Sequence, residues 1–238
     1  MKVEKSNPFL WLYDRLFPLP AVCPICMQPQ KSLQVCESCR HVALRKRSLY
    51  GQCQRCGSFG VYSGTCRNCR QWPIYYKGNF AIWPYNDHYK QVIQELKFQN
   101  MPWLADALAK EVLPFLPKQY DLLVPVPLHP NRMAERGYNQ SELLVKALSK
   151  YSGLPWESSL ERVRDTPHQT GLGREERLKN LQHAFACKKT ATVCGKKIIL
   201  VDDVCTTGTT LLTCAKVLHQ HGAVEIASCT LASGYGRF

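Results

Sequence analysis

Two kinds of apolar pattern alternate along the chain from about residue 75 onwards. Mostly apolar runs predict buried strands at 79–85, 121–127, 160–163, 197–203 and 224–231. Runs in which apolar residues recur every three or four positions predict helices that begin near 86 and 102 and that span 141–150, 174–184 and 209–221. Strands that alternate with helices are typical of a parallel sheet covered on both faces. We therefore predict an α/β domain that binds its ligand beyond the carboxyl ends of the strands.

A cysteine repeat precedes this domain. Eight of the 13 cysteines form four C-x-x-C pairs, and the second set of four repeats the first at an offset of 30 positions. Four thiolates make the tetrahedral shell that structural Zn²⁺ prefers, and a unit of about 20 residues needs a metal to fold. A redox C-x-x-C or chance spacing is a weaker interpretation of so regular a repeat. We predict two structural zinc ions, bound by Cys23, Cys26, Cys36 and Cys39 and by Cys53, Cys56, Cys66 and Cys69.

Ligation within each set is favoured over a cross-braced pairing, because each nine-residue spacer closes a hairpin locally. The other five cysteines show no ligand spacing, and we expect small buried or half-buried side chains. These patterns divide the chain into an N-terminal segment (1–20), a double zinc ribbon (21–71) and the α/β domain (72–238). Neither a signal peptide nor an apolar run of roughly 20 residues is recognisable, so we expect a cytoplasmic protein without membrane insertion. In that compartment clustered cysteines stay reduced and bind metal.

The charge is strongly basic, and it is uneven. With 31 basic and 18 acidic residues the formal net charge is +13, which favours polyanionic partners. Between residues 31 and 87 nine basic residues accompany one acid. Bases interleaved with aromatic rings are typical of a single-stranded nucleic-acid surface, here with the rings of Tyr50, Phe59, Tyr62 and Trp72. We predict DNA contacts at Arg45, Lys46 and Arg47; a solvated basic face or a protein-docking surface stays an open alternative.

The segment 198–210 gives the sharpest chemical signal. A buried strand leads into Asp202 and Asp203, and then into a loop of small residues that enters a helix. Gly208 permits close approach of the backbone, and the amides and hydroxyls of Thr206–Thr210 suit a phosphate monoester. The segment is neither a Walker A loop nor a dinucleotide-binding G-x-G-x-x-G. Two adjacent carboxylates after a buried strand favour a sugar phosphate ligand.

This segment resembles the 5-phosphoribosyl-1-pyrophosphate (PRPP) motif of type I phosphoribosyltransferases. The whole chain resembles the ComF/GntX family of competence-associated proteins, which join zinc ribbons to a phosphoribosyltransferase domain. The matching elements include Leu96-Lys97-Phe98, the stretch 124–129, Arg132, the stretch 136–141 and a third group between 162 and 185. The implied fold is a parallel-sheet, Rossmann-like type I phosphoribosyltransferase domain with a small Cys-rich double zinc ribbon.

The resemblance also implies a PRPP site, with Mg²⁺ on the pyrophosphate. Asp202 and Asp203 would hold the ribose hydroxyls, and Arg164 and Arg177 would act with them as catalytic residues from a mobile loop. PRPP-binding positions would be Pro127, Leu128, His129, Arg132, Arg136, Val204, Cys205, Thr206, Thr207, Gly208, Thr209 and Thr210. The arginines could instead be solvated, His129 and His168 are more often structural than catalytic, and Lys97 is expected at the surface.

Two functions follow. The first is a protein that handles single-stranded DNA in the cytoplasm during DNA uptake and natural transformation, with PRPP as ligand, sensor or substrate. Its partners would include a competence helicase or other DNA-uptake proteins. The alternative is a phosphoribosyltransferase that acts on an unidentified nucleobase-like acceptor and whose zinc is purely structural. A regulator that senses PRPP is a weaker third interpretation. No base pocket is recognisable, so any hood over the sheet must come from residues 72–116 or from the ribbons.

Overall fold

The computed structural model describes residues 21–98, 103–164, 181 and 183–235. Its centre is a sheet of four parallel strands, and the spatial order is β1-β6-β5-β2. The four are β1 (Tyr76–Pro84), β2 (Leu122–Pro125), β5 (Lys197–Cys205) and β6 (Glu225–Ser233). Every residue of β6 after Glu225 is buried, which explains its continuous apolar run. The predicted parallel α/β sheet is confirmed.

Helices cover both faces of the sheet. The described helices are α1 (Glu37–Tyr50), α2 (Asp87–Phe98), α3 (Leu104–Val112), α4 (Pro130–Arg136), α5 (Gln140–Ser152) and α6 (Thr209–Gln220). Short 3₁₀ helices occupy Arg67–Cys69 and Leu113–Phe115. Helices α2, α3 and α5 share one apolar core with Ile199 of β5, and α6 shares another with Ile198 and Leu200. Successive residues of β5 thus face opposite layers.

The strand predicted at 160–163 does not join the main sheet. Strand β3 (Leu160–Arg162) pairs antiparallel with β4 (Phe185–Cys187) in a separate two-stranded sheet. Strand β4 was not predicted, because three residues carry too little pattern. The helix predicted at 174–184 lies largely outside the described residues.

The cysteine repeat is a structural repeat as well. Antiparallel bridges join Val22 to Pro29 and Gln52 to Phe59, at the same offset of 30 positions as the cysteines. The residue after each first C-x-x-C pair has a left-handed backbone, with φ of 58° at Met27 and 70° at Gly57. The two units then diverge, because the first continues into the 14-residue α1 and the second into a three-residue 3₁₀ turn.

Both ribbons pack against the α/β domain. Arg40 of α1 makes a bidentate contact with Glu111 of α3, with nitrogen–oxygen distances of 2.6–3.0 Å. In the second ribbon the Cys56 carbonyl accepts a hydrogen bond from Asn79 Nδ2 of β1 at 3.1 Å. The division at residue 72 stays a prediction. Across the described ranges, none of the helices is both long and apolar enough to traverse a bilayer.

Candidate functional site

The predicted phosphate loop lies between β5 and α6. Gly208 has a φ of 74° and is the residue that precedes α6. Glycine has no side chain with which to cap a helix, so Gly208 gives the first amides of α6 no side-chain partner. The Thr209 amide donates instead to Thr207 Oγ1 at 3.4 Å. The Thr207 and Thr209 hydroxyls lie 2.8 Å apart, and Thr206 is exposed. Amides, hydroxyls and the positive end of a helix together suit a phosphate group.

An indole packs directly against this loop. A Cβ atom placed on Gly208 would lie 2.8 Å from Cζ2 of Trp72. Trp72 is 5% exposed, and its ring lies 5.1 Å from that of Tyr76 in β1. Glycine at position 208 therefore satisfies two requirements, a left-handed backbone and the closeness of the indole.

The two carboxylates lie within β5, because the strand continues through Cys205 rather than ending at Asp203 as predicted. Neighbouring residues of a strand point to opposite sides, so the two acids meet different partners. Asp202 Oδ1 accepts hydrogen bonds from Ser141 Oγ and from the Asp203 amide, both at 2.9 Å. Asp203 is buried, and Lys97 Nζ of α2 lies 2.8 Å from its Oδ2.

Burial and neighbouring charges together set the pKa values of Asp202 and Lys97. Burial raises the pKa of Asp202 to about 7, the charge of Asp203 acts in the same direction, and Lys97 and Ser141 oppose both. Burial disfavours the charged form of Lys97, yet the charge of Asp203, its hydrogen bond and the charge of Asp202 together outweigh burial and raise the pKa of Lys97. Near neutral pH, then, Lys97 is a cation, and Asp202 holds its proton more tightly than an exposed carboxyl does.

Strand β2 leads to the predicted pyrophosphate loop. Pro127 is buried, Leu128 and His129 are half-buried, and His129 Nδ1 accepts a hydrogen bond from the Asn131 amide at 3.3 Å at the start of α4. His129 thus has a structural role as a helix cap. At the end of α4, Arg136 donates to Gln140 Oε1 at 3.1 Å. Burial lowers the pKa of Arg136, and the charge of Asp203 partly opposes this.

Lys97 is the residue that the sequence interpretation missed. It was expected at the surface, whereas the structure leaves only 21% of its side chain exposed and pairs it with Asp203. The sequence feature that could have indicated a role in the site is the position of Lys97 within Leu96-Lys97-Phe98, one of the elements on which the family resemblance rests. Arg164 is exposed just after β3, whereas Arg177 and His168 lie outside the described residues.

Two four-cysteine clusters form as predicted, one within each unit. In each set the Sγ atoms all lie within 4.8 Å of one another. The Sγ–Sγ distance is 3.8 Å for Cys26 and Cys36 and 3.7 Å for Cys56 and Cys66. Four sulfurs at about 2.3 Å from one Zn²⁺ stand about 3.8 Å apart in a regular tetrahedron, so both clusters fit zinc.

The remaining cysteines mostly match their prediction. Cys205, Cys214 and Cys229 are buried and Cys187 is half-buried, as expected. Cys194 is exposed, which corrects the prediction for that residue; it lies just before a turn at Gly195.

The predicted DNA-contact residues lie on α1. Arg45 is exposed, Lys46 Nζ lies 5.8 Å from the Tyr89 ring, and the Arg47 guanidinium lies 5.1 Å from the Phe115 ring. Other bases of the region serve the fold, since Arg55 donates to four backbone carbonyls between residues 69 and 76.

Two of the four aromatic rings expected to stack on bases are buried in the core, which corrects that expectation. Phe59 is 0% exposed and Trp72 is 5% exposed, because both pack against residues of the α/β domain. Tyr50 and Tyr62 remain accessible, at 41% and 76% exposure.

Comparison with known proteins agrees with this geometry. Residues 140–237 match the family described as phosphoribosyl transferase domain. DNA utilization protein YhgH of Salmonella typhi is 33% identical over 221 residues, which cover 87% of this chain and 95% of that protein. Competence protein F of Haemophilus influenzae is 32% identical over 211 residues, which cover 83% of this chain and 90% of that protein.

Among solved structures, a glutamine phosphoribosylpyrophosphate amidotransferase from B. subtilis complexed with ADP and GMP is similar over 57% of this chain and 30% of that one. Its identity is 18% and its TM-score 0.40. Both relatives match most of this chain and at least 90% of their own length. The chain therefore belongs to the ComF/GntX family, with a phosphoribosyltransferase domain and two four-cysteine clusters of zinc-ribbon type.

Proposed function

We propose that this protein binds PRPP, with Mg²⁺ on its pyrophosphate, and handles single-stranded DNA in the cytoplasm during DNA uptake. The observation that carries the PRPP proposal is the juxtaposition of the phosphate loop with Asp202 and Asp203 at the end of β5. The match to a phosphoribosyl transferase domain supports it. The names of the relatives, a competence protein and a DNA utilization protein, support the DNA role.

Each part of PRPP has a candidate set of contacts. The α6 amides and the hydroxyls of Thr206–Thr210 bind the 5-phosphate. Asp202 and Asp203 accept hydrogen bonds from the ribose hydroxyls, and Arg132 and Arg136 of α4 face the pyrophosphate. The oxygen-rich acidic pair next to a pyrophosphate fits a hard cation. When bound there, Mg²⁺ offsets charge on the pyrophosphate as it binds and leaves.

A matched pair of variants tests the PRPP proposal by calorimetric titration, with and without Mg²⁺. Asp203→Asn removes the buried carboxylate, and we expect at least a tenfold weaker affinity for PRPP. Asp106→Asn makes the same chemical change at a half-exposed residue of α3 that pairs with Lys150, and it should leave the affinity within about twofold. Failure of the unaltered protein to bind PRPP under any of these conditions would refute the proposal.

The DNA proposal rests on the accessible bases and rings of the ribbons. Arg45, Arg67 and Arg70 are exposed, and none forms a salt bridge with another described residue. Tyr50 and Tyr62 offer ring faces near them along the chain. A surface of this kind binds the backbone of a single strand by charge and its bases by stacking.

A triple substitution of Arg45, Lys46 and Arg47 by alanine tests this surface. Binding of a labelled oligonucleotide should weaken, and its dependence on salt should fall by about 0.7 in logarithmic slope for each phosphate that the variant no longer neutralises. Alanine at Lys189, Lys196 and Lys216 changes the net charge equally on the α/β domain and serves as the control. Equal weakening in the two triple variants would show a general charge effect and contradict the assignment of the surface to α1.

The same site favours a second function, transfer of the phosphoribosyl group to an unidentified nucleobase-like acceptor, with the zinc purely structural. The observation in its favour is the acidic pair, which combines a charge held by Lys97 at Asp203 with a group at Asp202 that titrates near neutral pH. Release of pyrophosphate in the presence of a nucleobase, abolished in Asp203→Asn, would support it. Absence of turnover across a nucleobase panel would contradict it and leave the binding function.

A further inference from the structure

Three consecutive residues at the end of α2 contact three separate parts of the candidate site. The Leu96 carbonyl accepts a hydrogen bond from the Tyr138 hydroxyl at 2.7 Å. Lys97 Nζ lies 2.8 Å from Asp203 Oδ2, and the Phe98 ring lies 4.6 Å from the Arg136 guanidinium. The end of α2 is thus held on both sides of Lys97 by the segment that follows the predicted pyrophosphate loop.

The pair formed by Lys97 and Asp203 has no structural need to be ionic. A largely buried ion pair stabilises a fold little better than apolar residues of similar size, because both groups lose their hydration. Around it α2 is apolar, with Ile93 and Leu96 fully buried. Lys97 nevertheless keeps 21% of its side chain exposed, whereas Asp203 keeps 6%, so Lys97 is the more accessible partner of the pair.

The position of Lys97 conflicts with simple occupation of the site by PRPP. Asp203 Oδ2 is taken by the ammonium, yet the same carboxylate is the proposed acceptor for a ribose hydroxyl. Arg136 is close enough to Asp203 for the charge of Asp203 to raise the pKa of Arg136. The arginine proposed to contact the pyrophosphate and the carboxylate proposed to contact the ribose therefore interact electrostatically. A lysine has a compact charge on a flexible stem and can exchange one anion for another with little movement of the backbone.

We propose that Lys97 changes partner when PRPP binds, releasing Asp203 to the ribose hydroxyls and pairing with the pyrophosphate. Lys97 is then a binding residue that selects the pyrophosphorylated ribose over ribose 5-phosphate. This inference rests on the proposed PRPP site and adds to it a side chain that binds the pyrophosphate.

Comparing the affinities for PRPP and ribose 5-phosphate shows whether Lys97 contacts the pyrophosphate or only holds Asp203 in position. Lys97→Gln should weaken binding of PRPP at least tenfold, measured by calorimetry with Mg²⁺, and leave the affinity for ribose 5-phosphate within about twofold. Lys97→Arg keeps the charge and should recover part of the affinity for PRPP. Lys90→Gln, two turns earlier on the exposed side of α2, is the matched control and should change neither affinity.

The outcomes are distinguishable. Equal weakening for both ligands would mean that Lys97 only holds Asp203 in position. Unchanged affinity for PRPP would mean that Lys97 does not contact the ligand. Either result overturns the inference. A wild-type protein that binds neither ligand refutes the proposed function instead.

A measurement on the unaltered sequence covers the case in which Lys97→Gln does not fold. Reductive methylation with ¹³C gives each lysine an NMR signal, and the Lys97 signal is assigned by its disappearance in Lys97→Arg. PRPP should shift this signal, and ribose 5-phosphate should shift it far less. Identical shifts with the two ligands would contradict the exchange of partners.

Discussion

Replacing Gly208 by alanine tests how the phosphate loop is built. Gly208 has a φ of 74°, and a Cβ atom there would lie 2.8 Å from Cζ2 and 3.2 Å from Cη2 of Trp72. Trp72 is 5% exposed and packs against Tyr76, so any shift of the indole would disturb this packing. Alanine should therefore strain both the backbone and the packing of the loop.

The size of each effect can be estimated separately. A left-handed backbone costs a residue with a Cβ atom roughly 1–2 kcal/mol, and an extra methyl group in a packed core costs about 1–3 kcal/mol. Gly208→Ala should therefore lower the free energy of unfolding by about 2–5 kcal/mol, or by roughly 2–4 °C in Tm for each kcal/mol. Gly153 has a φ of 75° at the end of α5, and nothing lies within 4 Å of a Cβ placed there. Gly153→Ala should show the backbone cost alone.

The assay combines urea unfolding with PRPP calorimetry on four proteins: Gly208→Ala, Gly153→Ala, Trp72→Phe and the double variant at positions 72 and 208. Because a phenyl ring lacks the Cζ2 and Cη2 atoms, Trp72→Phe should recover the packing part of the cost in the Gly208→Ala background. Only the variants at the loop should weaken PRPP binding. Equal destabilisation by Gly208→Ala and Gly153→Ala, or additive effects at positions 72 and 208, would refute the contact as the cause.

Three further predictions concern charge and metal. Because the pKa of Asp202 is raised from 3.8 to about 7, the folded protein binds this proton more tightly than the unfolded chain does, and the free energy of unfolding should fall as pH rises from about 4 to 7. In urea unfolding, Asp202→Asn should remove this part of the pH dependence. An unchanged pH dependence would contradict the assignment to Asp202. Arg40→Ala leaves the buried Glu111 carboxylate without its bidentate partner, and should cost about 1–3 kcal/mol of unfolding free energy, more than Glu111→Gln, which leaves only a half-exposed arginine unpaired. Cys36→Ser and Cys66→Ser should each remove one of two zinc equivalents, measured by mass spectrometry of the metal. Only Cys66→Ser should weaken PRPP binding. Equal effects of the two variants on PRPP binding would contradict a link between the second ribbon and the phosphate loop.

The sequence predicted the central strands well, because parallel strands buried on both faces leave a continuous apolar run. Strand β5 was placed within two residues of its observed end, and β6 likewise. Helix α1 was not predicted, because only Ala43 of its 14 residues is buried and Val42, Leu44 and Leu49 are exposed. Its contacts with the domain, among them the pair of Arg40 and Glu111, join distant parts of the chain and are contained in no local pattern.

The candidate site was predicted in its motifs but not in its contacts. The cysteine quartets, the acidic pair and the phosphate loop each occupy a short segment, so spacing alone identified them. Lys97 was assigned to the surface because the spacing of α2 does not show that its end packs against Asp203. Trp72 was grouped with surface rings because its neighbours in sequence are basic, whereas its neighbours in space are Gly208 and Tyr76.

The contacts around the end of β5 join the second ribbon to the phosphate loop. The Cys205 carbonyl, one residue before the loop, accepts hydrogen bonds from Ser233 Oγ at 3.0 Å and from the Gly234 amide at 2.9 Å. The Gly234 carbonyl in turn accepts from the Phe59 amide at 3.0 Å, three residues after Cys56.

The second cysteine cluster, the end of β6 and the start of the loop are thus successive members of one hydrogen-bonded network, to which Trp72 adds an apolar contact at Gly208. Metal binding supplies the folding free energy of zinc ribbons, so we expect loss of metal from the second ribbon to disorder the phosphate loop as well. The first ribbon meets the domain elsewhere, through Arg40 and Glu111 of α3 and through the apolar core that Val35 and Ala43 share with Trp83 of β1. We therefore expect two clusters that are equivalent in sequence to differ in role: the second supports the proposed PRPP site, and the first carries α1 and its basic face.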